Sequence, residues 1–289
     1  DRSLISVSCP TSLTSIGRGA FAGCCSLTSI SLNVGLESIS MAAFLDCSSL
    51  SSITLPAGLK SIGDSAFIGC SALASVSLPD GLASLSNSAF SRCSSLPSVA
   101  LPASVTAIGS CCFQGCTSLA SIRLPAACTS VRSGTFAGCS SLTSVTLPAG
   151  LTAIGSAAFG GCSSLATVTL PAGLTSIGSE AFSRCSSLTS IALPAGLTSI
   201  GAEACFRSSC GSLSSVAFSG NSSIAHLGDF AFGCCASLRS VTLPDGLAII
   251  GRNAFNGCTS LARVRLPATC STIGDFAFFG CLALDQVAV

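Results

Sequence analysis

The sequence has no tryptophan and no tyrosine, and only one methionine, one histidine and one lysine. Charged residues fill 8% of its 289 positions, against roughly 25% in an ordinary soluble chain. Basic and acidic residues nearly cancel, leaving a formal net charge of +1. No basic stripe is present to follow a phosphate backbone, which argues against a nucleic-acid partner. One histidine and the absence of any Cys-x-x-Cys pair leave no ordinary zinc ligand set. A membrane-spanning helix needs about twenty mostly apolar residues in a row. Mean hydropathy is high here, but Ser, Gly or Pro interrupts every few positions, so no transmembrane segment is expected.

What the chain does have is a period. Phenylalanines fall every 23 residues, at Phe21, Phe44, Phe67, Phe90, Phe113, Phe136, Phe159 and Phe182, and resume at Phe206, Phe232, Phe255 and Phe278. A cysteine follows three residues after almost every one: Cys24, Cys47, Cys70, Cys93, Cys116, Cys139, Cys162 and Cys185, then Cys235, Cys258 and Cys281. A fixed period of this length marks a solenoid. The unit beginning at Leu165 reads LATVTLPAGLTSIGSEAFSRCSS.

Each stretch of that unit has a mechanical reading. Leu165, Val168 and Leu170 outline a short strand with its β-branched residue turned inward. Leu-Pro-Ala-Gly-Leu reads as a turn, with Pro presetting φ at the second position. Leu174, Ile177 and Gly178 outline a second short extended segment. Ser-x-Ala-Phe-x-Gly-Cys is expected to be a tight helical turn that drives Phe inward, with Gly permitting the exit. A single unit buries too little apolar surface to offset the ordering of its backbone, so units must stack. The expectation is a β-rich solenoid of about twelve repeats plus a partial one. It is read as a single domain over residues 1–289, irregular at 204–223.

On these residues the chain resembles the BspA-type leucine-rich repeats of bacterial and protist surface proteins, from Leu4 to Val289. The resemblance implies adhesion or protein binding, exposure at the cell surface or secretion, and no catalysis. It leaves the ligand open, because a scaffold's function lies in its variable positions.

Departures from the repeat supply the candidate sites. Spacing between strand-opening leucines widens to 25 from Leu188 to Leu213 and again from Leu213 to Leu238. The first bulge runs from Ala204 through Cys205 and Phe206 to Cys210. The second, Ser219–Ser223, replaces the Pro-Ala-Gly turn and holds a glycosylation sequon at Asn221. Both read either as binding loops or as tolerated insertions. On the outward strand positions Ser, Thr and Ala dominate, as at Ser52/Thr54, Ser75/Ser77, Ser144/Thr146 and Thr167/Thr169. Arg239, Arg263 and Arg265 break that pattern on neighbouring rungs, and Arg123 does so alone. Arginine is enriched at interface hot spots, so these four are the candidate binding residues, with solubilising surface as the competing account.

Other chemistry is thin. The regular cysteines fit a buried ladder slot where a thiol bonds to backbone, Cys9, Cys128 and Cys270 fill Leu slots, and Cys112 fills an Ala slot. Cys205, Cys210 and Cys234, at the irregular rungs, are candidates for bridging. His226 is the one possible general base, with Cys234, Cys235 or Asp229 near it in sequence, yet it occupies a small-polar slot. No phosphate-binding or dinucleotide fingerprint appears, so no cofactor is expected. The leading reading is a non-catalytic binding or scaffold module with a protein partner. A second is lattice binding, because Thr106, Thr129, Thr152, Thr175 and Thr198 form a column. The terminal units carry no polar cap, so their ends are expected to be covered by further sequence or by partner chains.

Overall fold

A computed structural model of the chain describes residues 2–203, 210–220 and 222–289. They form two compact units, Asp1–Pro148 and Ala149–Val289. Both are parallel β-solenoids, and no helix occurs among the described residues.

A rung of the first unit shows the build. Its first strand, Ser52–Thr54, buries Ile53 and exposes the residues on either side. It pairs in parallel with Ser75–Ser77, so that Ile53 stands opposite Val76, 23 residues on. The second strand, Ser61–Ile62, pairs with Ser38–Ile39, and that strand pairs with Ser15–Ile16. Between the strands, the Leu59 N–H donates to the Pro56 carbonyl at 3.0 Å. Proline is therefore the first residue of the turn, not the second, a place where its missing N–H costs the turn nothing. Gly58 follows because a Cβ there would stand 3.2 Å from the Val34 carbonyl oxygen of the preceding rung. Where Asn33 replaces Pro, its side chain donates to the Pro10 and Leu13 carbonyls at 2.8 and 2.9 Å and accepts from the Gly35 N–H at 2.7 Å.

The Phe-containing segment is a run of hydrogen-bonded turns. Ala43, Leu45 and Cys47 donate within their own rung to Ser40, Ala42 and Phe44. The alternate N–H groups of Ala42, Phe44 and Asp46 donate to the next rung at Asp64, Ala66 and Ile68, at 2.7–2.9 Å. That alternation requires left-handed residues two before and two after each Phe, such as Ala42 and Asp46, both at φ 55°. A non-glycine residue pays roughly 1–2 kcal/mol there, and the strong inter-rung bonds hold it in place. The motif glycine at the second position, for example Gly69 at φ 71°, removes that strain.

The core is a pair of columns. Phe44, Phe67, Phe90 and Phe113 are fully buried and stack with ring centroids 5.1–5.8 Å apart. In the second unit Phe159 stacks on Phe182 at 5.4 Å and Phe232 on Phe255 at 5.6 Å. Beside them ladder thiols donate to the carbonyl of the Phe 26 residues earlier. Cys70 reaches Phe44 at 3.2 Å, Cys93 reaches Phe67 at 3.3 Å and Cys185 reaches Phe159 at 3.2 Å. Cys210 does the same with Phe182, 28 residues back, at 3.4 Å. It therefore fills the regular slot of its rung rather than a special position, and the two extra residues lie before it. Ala204 to Ser209, with Cys205 and Phe206, lie outside the described residues, as does Asn221.

The second unit carries one first-strand sheet of Thr167–Val168, Ser190–Leu193 and Ser215–Phe218, and another of Ser240–Thr242, Arg263–Arg265 and Gln286–Ala288. Its second strands, from Ala153–Ile154 through Thr272–Ile273, form an unbroken ladder.

Candidate binding face

The second unit holds the groove with the most distinctive chemistry. Arg263 and Arg265 lie on one strand, either side of buried Val264, and both are exposed. Strand pairing sets Ser240 and Gln286 on the two sides of Arg263, and Thr242 and Ala288 on the two sides of Arg265. These residues line a groove of about 250 Å³. Arg265 also borders a larger groove of about 380 Å³, together with Ser215, Ala217, Thr242 and Asp245. The larger groove spans the place where Ser215–Phe218 and Ser240–Thr242 belong to separate sheets, on the rung where the Pro-Ala-Gly turn is replaced. Among the described residues the one ion pair is Lys60 with Glu37, at 2.9 Å and exposed. The two guanidinium groups of the groove thus have no carboxylate partner there.

The other candidates fall elsewhere. Arg239 is exposed one position before the strand Ser240–Thr242, and its carbonyl accepts from the Ala262 N–H at 2.9 Å. It lines neither groove. Arg123 is in the first unit, exposed, opposite Thr146. His226 is exposed on the strand His226–Leu227, opposite Ile249. Asp229 uses its carboxylate to accept the Arg252 N–H at 2.8 Å. Cys234 is exposed at φ 62°.

Sequence reasoning missed Asp245, Ser240, Thr242 and Gln286 as neighbours of the arginines. The signal was present column by column. Ser240, Arg263 and Gln286 are spaced at 23, and Asp245 stands where most rungs have Ala in Pro-Ala-Gly.

Threonine hydroxyls just ahead of the second strands are engaged by the scaffold. Thr106 donates to Ala83 at 3.3 Å in the first unit. In the second, Thr175 and Thr198 donate to Thr152 and Thr175 at 3.0 Å. Each bonds the carbonyl of the preceding rung, so its proton is not available to an external lattice. The ladder thiols are equally occupied. Burial pushes Cys47, Cys116 and Cys185 from 9.0 up to about 12, with the neighbouring Cys24 adding to the shift at Cys47. Such thiols stay protonated at neutral pH and are poor nucleophiles. No group of three or more potential metal ligands occurs among the described residues. No helix among them is long and apolar enough to cross a membrane.

The model of the BspA type leucine rich repeat region matches residues 1–120, 106–226 and 225–289. The chain belongs to the BspA-type leucine-rich-repeat family. Among solved structures, this BspA-type chain is similar to a leucine-rich repeat protein from Bacteroides ovatus. The two share 30% identity over 98% of this chain and 86% of that one, with a TM-score of 0.67. A leucine rich cell surface protein from Faecalibacterium prausnitzii is 28% identical over 98% of this chain and 87% of its own, with a TM-score of 0.62. The pneumococcal vaccine antigen PcpA shares the fold at 22% identity, over 98% of this chain and 79% of its own, with a TM-score of 0.61. No curated protein matches the chain. BspA-type repeat proteins are generally binding and scaffold proteins.

Proposed function

We propose that the protein is a non-catalytic binding module that engages a protein partner through the first-strand face of its second unit. One observation carries this: Arg263 and Arg265 line a groove whose own lining holds no carboxylate, and neither forms an ion pair among the described residues. Elsewhere the outward positions of the first strands are mostly small hydroxyl residues with short reach, such as Ser52 and Thr54. An exposed arginine in such a setting is the side chain with free donors, five in a planar fork suited to carboxylates. Surface exposure on the cell is the supporting context, because the F. prausnitzii relative is described as a cell surface protein.

The test is recovery of a partner on immobilised protein, with two variants alongside. Arg263→Ala/Arg265→Ala should lose the recovered partner while keeping its thermal unfolding profile. Arg123→Ala should retain the partner. Equal recovery by both variants would assign binding to another surface.

A further inference from the structure

Resting on that reading, we propose that the groove takes an extended acidic peptide whose two carboxylates stand two residues apart. Both arginines belong to one rung, so a ligand crossing the rungs meets only one of them. A ligand lying along the strand meets both. Positions two apart on a strand are separated by about 6.6 Å, the same repeat that an extended peptide presents between alternate side chains. The inward Val264 between them leaves the two guanidinium groups on the same side of the sheet. Ser240 and Thr242 on one flank and Gln286 on the other bring hydroxyl and amide groups to the peptide backbone. Each arginine offers a planar pair of N–H donors to one carboxylate.

Asp245, in the adjacent larger groove that Arg265 also borders, gives the site a polarity. It follows the strand Ser240–Thr242 and borders the larger groove together with Arg265. Along the strand direction the charges therefore run positive at 263, positive at 265 and negative at 245. A third acid on the ligand is repelled at the Asp245 end and not at the other.

The experiment measures binding of three labelled peptides to the intact protein by fluorescence anisotropy. The first is acetyl-Gly-Asp-Ser-Asp-Gly-amide, the second carries the two acids adjacent, and the third replaces both with Asn. The first should bind at least ten-fold tighter than the second, and the third should not bind. Arg263→Ala and Arg265→Ala should each weaken the first peptide at least ten-fold, and added salt should weaken it further because both charges are exposed. Adding Glu at one terminus of the first peptide should weaken binding and adding it at the other should not. Equal affinity for the first two peptides, or displacement by any sulfated oligosaccharide of higher charge with no spacing preference, would overturn the inference in favour of a general polyanion surface. Absence of peptide binding, with a protein partner still lost from the double arginine variant, would overturn the peptide chemistry and leave the binding role standing. Loss of neither would remove both.

Discussion

After the inward residue of the second strand, the first unit alternates: Gly17, Ser40, Gly63, Ser86, Gly109, Arg132. The second unit has glycine at every such place, from Gly155 through Gly178, Gly201, Gly228 and Gly251 to Gly274. The reason for glycine is distance. A Cβ at Gly63 would stand 2.5 Å from the Met41 backbone nitrogen, and one at Gly178 would stand 2.5 Å from that of Ser156. In the first unit the ladder breaks between Ser61–Ile62 and Ser84–Leu85, just before Ser86, and again before Arg132. Gly63 and Gly109 still donate to Ile39 and Leu85 at 2.8 Å, a bond with no counterpart among the described residues at Ser86 or Arg132, nor at Gly228 of the second unit. Ser40 keeps its bond to Ile16 at 2.9 Å, so a side chain in the slot strains the ladder without always opening it. The second unit differs on this side. Its second-strand ladder is continuous, and its replaced proline turn puts Gly220 in the lining of the larger arginine groove. First-strand sheets are thus interrupted in both units, whereas the second-strand ladder is interrupted in the first unit and not in the second.

The largest expected effect is common to both units. Phe90→Ala, between rings at 5.3 and 5.8 Å, and Phe255→Ala, between rings at 5.6 and 5.3 Å, should each cost about 3–5 kcal/mol in denaturant unfolding. Half-buried Phe21→Ala should cost clearly less. A loss below about 1 kcal/mol at Phe90 would mean the column is not continuous.

The glycine slot should separate the units. Gly178→Ala forces a Cβ into the neighbouring rung and should destabilise by roughly 1–3 kcal/mol. Ser86→Ala, where the ladder is already open, should stay within about 0.5 kcal/mol. Equal effects would erase the comparison.

The thiols should make both units labile to alkali. Their pKa is higher folded than unfolded, so the unfolded chain ionises first as pH rises. Stability should be complete below about 9, fall between about 9 and 12, and track Cys47 and Cys116 in the first unit and Cys185 in the second. At pH 8 these thiols should react with a thiol reagent only after unfolding. Stability flat across the alkaline range would contradict their burial.

The smallest effect concerns strain. Ser65 at φ 60° and Glu180 at φ 58° are left-handed residues in the two units. Glycine at either should raise stability by up to about 1 kcal/mol if relief of strain exceeds the entropy added to the unfolded chain. A loss at both would show that strain there is negligible.

Much of this was legible before any coordinates. Spacing of Phe and Cys, alternation around Val and Ile, and the Leu-Pro-Ala-Gly-Leu turn define a stacked unit, because each repeats the same local geometry. What escaped depends on pairing between rungs. Cys210 looked like an extra cysteine beside an insertion, although Cys210-Gly-Ser-Leu213 matches Cys185-Ser-Ser-Leu188 and points to the ladder slot. The Phe turn looked helical because local sequence does not show that every second N–H serves the next rung. Arg239 was grouped with Arg263 and Arg265 by rung, but it precedes its strand by one residue, and that single position separates it from the groove. Asp245 was overlooked because it sits in a turn rather than on a strand.

The central claim is that the second unit's first-strand face, not the matching face of the first unit, meets the partner. Amide hydrogen exchange with and without bound partner tests it most directly. Protection should appear at Ser240–Thr242 and Arg263–Arg265, with Ser121–Arg123 unchanged. Protection at Ser121–Arg123 with none at Arg263–Arg265 would contradict it.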